Sequence, residues 1–344
     1  MSRRPTSIDL AAYAGVSQST VSRVLNQSAL VSDDVRQRVL DAAEKLHYKI
    51  HHSAQRLRSS KIQALALLIL EDMESKDSDI NPFFLPMVGS IIKYAADKGY
   101  ELVISLQRES NDWGARYSLS RPAEGIIFLG TKNFDTYAQN FRSQNHSDDN
   151  WVVWGLNRTE AGNVCVVSDN EGGAYSAVHH LAGLGRKRIA YIGKLYSDHW
   201  EFIERLQGYR RGLDEAGITH NPALEIDSQL TLDDGADAAA RLLASGEPFD
   251  AIFASTDMLA LGAMRHLMSQ GYKVPDDVSI MGFDDLWVGN AVWPSLSTVR
   301  QNTRLAGRIL VDSVAGLIEG ETVATTRIPT EIVVRASCGG TPTV

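Results

Sequence analysis

The sequence predicts an α + α/β protein, in which a small three-helix head is followed by a larger two-lobed α/β core. Three observations predict it. Residues 1–50 carry apolar residues at helical spacing, interrupted by one glycine, Gly15. From residue 62 the pattern becomes short aliphatic runs separated by amphipathic stretches, as expected of βα units whose parallel strands are buried on both faces. Charge divides at the same place: residues 1–61 hold ten Lys and Arg against five Asp and Glu, a net of +5 in a chain of −8, so the remainder carries −13. A basic head on an acidic body suits a polyanion binder, because only the contacting face must be positive; a solvated helical surface is the other reading of these charges.

Composition bounds the class. A chain of 344 residues is long for one domain, and 44% hydrophobic with 22% charged residues is ordinary for a soluble globular protein. Cys165 and Cys338 are too few for a disulfide framework and lack CxxC spacing, which favours a reducing compartment. The longest apolar run, ALALLIL at 64–70, is too short to span a bilayer, and no apolar segment follows the basic start. A cytoplasmic protein without membrane contact is expected.

In the head, Thr6 followed by Asp9 fits a capping box that opens a helix burying Leu10, Ala11 and Ala14. Gly15 ends it, since glycine adopts the left-handed conformation at no steric cost. Ser17 caps a second helix in which Val21, Val24 and Leu25 face inward, leaving Gln18, Ser19, Ser22, Arg23 and Asn26 on its outer side. A third helix opens at Ser32 with Asp33 and Asp34 in its first turn, and buries Val35, Val39, Ala42, Ala43 and Leu46. This is the helix-turn-helix arrangement, whose second helix enters the DNA major groove by its N-terminal end. Planar Gln and Arg groups pair with base edges, while Ser and Thr hydroxyls reach phosphates. An ordinary helical hairpin with a polar outside is the plainer alternative.

The run IDLAAYAGVSQSTVSRVLNQSALVSDDVRQRVLDAAEKLHY closely resembles the DNA-binding head of the lactose-repressor (LacI/GalR) family. By resemblance, Gln18, Ser19 and Arg23 are base-reading residues, and Thr6, Ser17, Ser22, Asn26 and Ser32 match positions that commonly anchor phosphates. The family's hinge helix wedges a leucine into the minor groove, a device that kinks DNA. Here HHSAQRLRSSK at 51–61 supplies the matching Ala54 and Leu57, flanked by Arg56 and Arg58. Ile50-His51 stands where the family usually has Pro-Asn. A linker without DNA contact is the alternative for this segment.

In the core, IQALALLIL, YELVISL, EGIIFLG, NWVVWGL, RIAYIG, FDAIFAS and VSIMGF are the expected strands. Ligands of open α/β sheets bind beyond the carboxyl ends of strands, where Asn157, Asp257, Asp284 and Asp285 fall; Arg205 follows a short loop after RIAYIG. The core resembles the periplasmic-binding-protein-like core of the same family in NPFF, SDNEGGAYSAVHHLAGLGRKRIAYIG, ERLQGYRRGL, TDMLALGA, VPDDVSIMGFDD and PSLSTVRQ. That resemblance implies Arg205 and Asp284 as the best effector contacts, with Asn157, Asp257 and Phe83 behind them. Carboxylate, amide and guanidinium groups suit a polyhydroxylated ligand, and Trp113, Trp200 and Trp287 are possible platforms; core packing is the alternative for each tryptophan, and a helix cap for Asp257.

The domains implied are a DNA-binding head at 1–50, a hinge helix or linker at 51–61, and an effector-binding and dimerisation core at 62–344. The N-lobe is expected over about 62–163 plus about 295–325, and the C-lobe over about 164–294 plus the C-terminal segment. Part of DMLALGAMRHLMSQG, including Leu261, is a candidate dimer surface, and the C-terminal tail lacks leucine heptads. Enzyme signatures GxSxG, HExxH and GxxxxGK are missing, and the His51-His52 and His179-His180 pairs are adjacent rather than four apart, so no catalysis, cofactor or metal is expected. The reading is a homodimeric, sugar-controlled repressor that binds double-stranded, pseudo-palindromic operator DNA. A nucleoside- or purine-responsive regulator of the same fold, and a free sugar-binding protein, are the alternatives.

Overall fold

The computed structural model of the chain describes residues 6–25, 31–46, 64–70, 81–107, 123–130, 150–155, 164–196 and 199–341. The chain divides into two units, Met1–Ile62 and Gln63–Val344.

In the first unit, α1 (Ser7–Ala14), α2 (Gln18–Leu25) and α3 (Asp33–Lys45) surround one apolar cluster. The Thr6–Asp9 capping box forms in both directions: the Thr6 N–H donates to Asp9 Oδ2 (2.7 Å) and the Asp9 N–H to Thr6 Oγ1 (3.3 Å). Gly15 closes α1 with φ 65°. Ser17 Oγ accepts the Thr20 N–H at 3.1 Å and so starts α2. Leu10, Val21 and Val39, one from each helix, are buried at the centre.

Among the described residues, the second unit contains two six-stranded sheets. The first has the order β11-β5-β4-β3-β1-β2, from β1 (Ala64–Leu70), β2 (Glu101–Gln107), β3 (Gly125–Leu129), β4 (Asn150–Trp154), β5 (Val164–Ser168) and β11 (Thr326–Ile328), all parallel. The second has the order β12-β10-β9-β8-β6-β7, from β6 (Ile189–Gly193), β7 (Glu225–Asp227), β8 (Ala251–Ala254), β9 (Ser279–Asp284), β10 (Ser297–Arg300) and β12 (Glu331–Val333), of which only β12 is antiparallel.

Every residue of β1 is buried because the sheet is covered on both faces. Alternate residues serve different clusters: Leu65, Leu67 and Ile69 meet α4 (Phe84–Asp97) and α10 (Thr303–Ile318), while Ala66, Leu68 and Leu70 join Phe128 and Trp151 opposite. The second sheet is treated likewise. On one face α5 (Asn170–Gly183) and α6 (Trp200–Glu215) cover Tyr191 and Phe253; on the other α7 (Leu232–Ala244) and α8 (Asp257–Ser269) cover Ile192 and Ile252. Short α9 (Trp287–Ala291) follows β9. No described helix is long and apolar enough to cross a membrane.

The lobe boundaries differ from the expected ones. VCVVS forms β5 and pairs with β4, so the first lobe runs past residue 163, and β10 pairs with β9 in the second sheet rather than starting a return at 295. Three crossovers result, at Ser168–Asn170, Arg300–Thr303 and Ile328–Glu331. The first and third are bonded together, the Asp169 N–H donating to the Ile328 carbonyl (2.8 Å) and Thr330 Oγ1 to the Asp169 carbonyl (3.2 Å). Leu261 also departs from expectation: it is 5% exposed within the second-lobe core and offers nothing to a dimer surface.

Helices α7 and α8 touch backbone to backbone because glycines stand at the contact. A Cβ at Gly262 would lie 1.9 Å from the Leu232 carbonyl oxygen, and one at Gly235 2.3 Å from that of Leu259. Gly262→Ala is expected to lower core stability by about 1–3 kcal/mol, the cost of overpacking, read as a fall in the urea midpoint followed by tryptophan fluorescence.

Candidate functional site

Polar residues that the sequence scatters between Asn170 and Arg327 gather where the chain crosses between lobes. Arg205, on α6, is 4% exposed. Its guanidinium lies 3.9 Å from the Phe283 ring centroid, its Nε donates to Asn170 Oδ1 (3.0 Å), and its Nη1 donates to the Ser255 carbonyl (2.6 Å). Nη1 is also 3.5 Å from Asp284 Oδ1, an ion pair with both side chains under one-tenth exposed. Gln301, at the β10–α10 crossover, donates to the same Asp284 oxygen at 2.7 Å. Burial raises the Asp284 carboxyl, Arg205 and Gln301 pull it back, and it settles at about 6.

Asp284 and Asp285 end β9 with φ of 119° and 57°, a backbone rarely adopted by non-glycine residues. The turn is held from outside. Asp285 takes Arg300 Nε at 2.6 Å and Arg335 Nη2 at 2.5 Å, and the next residue, Leu286, donates its N–H to Asp257 Oδ2 at 2.6 Å. Leu286 packs into the first-lobe core, so this turn ties the two lobes together.

Asp257 lies behind Asp284, fully buried, with Thr298 Oγ1 donating to its other oxygen at 2.6 Å. Burial, together with the nearby Asp284 charge, pushes the Asp257 carboxyl well above its usual range. Thr256 caps α8, its hydroxyl accepting the Leu259 N–H at 3.3 Å, so capping is not Asp257's task.

A further carboxylate, Glu204, is 6% exposed beside Arg205. Trp200 Nε1 (3.3 Å) and Arg327 Nη2 (3.1 Å) donate to its Oε1, and Asn170 Nδ2 lies 3.5 Å from its Oε2.

In the head, the outer edge of α2 presents Gln18, Ser19 and Arg23 as exposed side chains. Gln18 Nε2 donates to Ser7 Oγ at 3.0 Å, a weak surface bond that a base edge could replace. Thr6 and Ser17 spend their hydroxyls on caps, and Ser32 precedes α3 as an exposed residue whose carbonyl takes the Arg36 N–H at 3.0 Å.

Comparison with known proteins decides the family. Residues 8–50 match the model of bacterial regulatory proteins, lacI family, and residues 178–338 that of a periplasmic binding protein-like domain. The HTH-type transcriptional regulator CelR of Thermobifida fusca is 31% identical over 341 residues, covering 97% of this chain and 98% of that protein. The chain belongs to the lacI family. It is a DNA-binding transcriptional regulator of that family. A CelR–cellobiose complex aligns with it at TM-score 0.72 and 30% identity over 97% of this chain and 100% of that one. The lac repressor dimer bound to operator and the anti-inducer ONPF aligns at TM-score 0.83 and 26% identity over 98% and 99%. The transcriptional repressor PurR of Vibrio atlanticus is 26% identical over 87% of this chain and 88% of its own length.

Against the lacI-family expectations, the structure brings Arg205, Asp284 and Asp257 together. Phe83 stands apart in the first-lobe core, 8% exposed, its ring centroid 6.2 Å from that of Trp154. Trp200 joins the cluster through Glu204, whereas Trp287 is 79% exposed on α9. Asn157, Asn26, Ala54, Leu57, Trp113 and the side chain of Ser22 lie outside the described residues. Asn170, Glu204, Gln301 and Arg327 were not singled out from the sequence. Asn170 opens α5 at the end of the first crossover, and Gln301 follows β10 at the start of the second; that position is their only signal in the sequence.

Proposed function

We propose that the chain is a homodimeric repressor of a carbohydrate catabolic operon, reading a pseudo-palindromic operator with α2 and releasing or tightening it when a sugar binds at the Arg205–Asp284 cluster. The observation that carries this is the buried guanidinium–carboxylate pair at the lobe crossovers, flanked by Asn170, Gln301 and the Trp200 indole. Paired hydrogen-bonding groups beside an aromatic face are what sugar hydroxyls and ring C–H faces require. CelR's complex with cellobiose supports a glucose disaccharide as the first ligand to try. Gln18, Ser19 and Arg23 are the proposed base readers, with Thr6, Ser17, Ser22, Asn26 and Ser32 on phosphates and Ala54 and Leu57 in the minor groove. Phe83 and Asn157 are proposed for the first-lobe side of the ligand, and Asp257 supports Asp284 from behind.

The experiment is a titration of cellobiose against a labelled operator bound by the full chain, with purine bases as a second arm. Asp284→Asn is expected to raise the effector midpoint by roughly 1–3 kcal/mol equivalent while leaving operator affinity without ligand unchanged. A response to purines alone replaces the sugar with the nucleobase alternative. Arg23→Ala is expected to lose about 1–3 kcal/mol on the specific operator and much less on random DNA. Equal losses on both would make Arg23 a phosphate contact.

A further inference from the structure

Glu204 places a carboxyl group in a nearly closed environment, which is costly unless its oxygens find partners. Those partners are groups that shape the effector site. Oε1 receives the Trp200 indole N–H from one turn earlier on α6, and the Arg327 guanidinium from β11 of the first sheet. Oε2 faces the Asn170 amide nitrogen.

That last contact fixes which way Asn170 points. Its NH2 has two acceptors on one side, Glu204 Oε2 and the Ser168 carbonyl at 3.2 Å, which leaves Oδ1 to receive Arg205 Nε. Turned over, the amide would set its NH2 against the Arg205 N–H, donor against donor. Glu204 therefore acts on Arg205 through the orientation of one amide.

We propose that Glu204 is the positioning residue of the effector site: one carboxylate that orients Trp200, Asn170 and, through Asn170, the guanidinium of Arg205, anchored across the lobes by Arg327. The inference rests on reading the Arg205–Asp284 cluster as the effector site. Arg327 also lies 3.4 Å from Asp169 in the first crossover, so the anchor sits where one lobe passes into the other. Any rearrangement of the lobes that moves β11 against α6 disturbs the group that aims Arg205.

The test uses the full chain, deuterated, and reads the side-chain Nε–H resonance of Arg205, assigned by its loss in Arg205→Lys. No effector is needed for this reading. Glu204→Gln keeps the shape but replaces one carboxylate oxygen with a donor, leaving one acceptor oxygen for the Trp200, Arg327 and Asn170 contacts described, so the Arg205 resonance is expected to shift and its solvent exchange to quicken at least about tenfold. Adding Asn170→Asp supplies a carboxylate that accepts both from the introduced amide and from Arg205 Nε, at the loss of the Ser168 carbonyl's donor, and is expected to move the resonance back toward that of the parent and to slow its exchange again. With cellobiose as titrant, the effector midpoint should rise roughly tenfold in the single variant and recover in the double. Arg327→Gln, which leaves Glu204 itself in place and removes the Arg327 contacts to Glu204 and Asp169, should move the resonance in the same direction and serves if the first variant does not fold. An unmoved Arg205 resonance, or a shift that Asn170→Asp does not reverse, overturns the proposal. Should the parent ignore cellobiose while the resonance follows the variants, the sugar reading falls and the positioning role stands.

Discussion

Arg205→Ala is expected to cost the core about 3–5 kcal/mol of stability and to abolish the effector response, because it breaks a buried pair from one side. The alanine leaves the Ser255 carbonyl, the Asn170 amide oxygen and the Asp284 carboxylate without their common donor, and uncovers the face of Phe283. All six tryptophans follow residue 62 in the sequence, so urea unfolding followed by their emission reports on the second unit. A loss below about 1 kcal/mol with a normal cellobiose midpoint would remove the pair from both roles.

The same variant has a pH signature whose sign follows from Asp284. Its carboxyl sits at about 6, above the ordinary 3.8, so the folded chain holds this proton more tightly than the unfolded chain does. Its contribution to stability is therefore full below about pH 4 and is lost as pH rises through 6. Asp257, raised by burial and by Asp284, acts in the same direction. Removing Arg205 takes away the cation that holds Asp284 down, so the deficit of Arg205→Ala should be larger at pH 8 than at pH 5. Equal deficits at the two values would show that Asp284 does not feel the guanidinium.

The head was legible in detail because its signals are local. Thr6 with Asp9, Gly15 and Ser17 each act within four residues, and each does in the structure what its chemistry dictates. The long strands were legible for a related reason: ALALLIL and GIIFL need only a covered sheet to explain them. β10 and β12 were not, since STVR and EIV are short and half polar, and their place in the sheet is set by pairs such as Arg300 with Glu331. The lobe boundaries failed with them.

The site divides along the same line. Arg205 and Asp284 follow strands or short loops, where ligand groups of α/β sheets are expected. The groups that hold them are partners at long range: Glu204 meets Asn170 across 34 positions and Arg327 across 123. The packing of α5 on α6 and the return of β11 to the first sheet bring those residues together, and no local pattern encodes either. Phe83 illustrates the converse, as its aromatic character announces burial without saying whether the buried face meets a ligand or Trp154.

Asp257 offers the second large effect, with an isosteric control. Asp257→Ala is expected to destabilise the core by about 2–4 kcal/mol, because it leaves the buried Leu286 N–H and Thr298 hydroxyl without an acceptor and opens a void beside Gly282, where the carboxylate now fits. Asp257→Asn should cost much less. Its amide oxygen can accept from the Leu286 N–H, which has no other orientation, while its NH2 donates to Thr298 Oγ1 once that hydroxyl turns to accept. The amide also cannot ionise, and so removes the charged form that burial and Asp284 already disfavour. The effector response should separate the two further. In Asp257→Ala the turn from Asp284 to Leu286 loses its anchor, and with it the insertion of Leu286 into the first-lobe core, so cellobiose should no longer shift operator affinity even where the chain remains folded. In Asp257→Asn the turn is kept and the response should persist. Urea midpoints and operator titrations of both variants decide it: similar losses in the two would mean that the charge of Asp257, rather than its two hydrogen bonds, holds the turn.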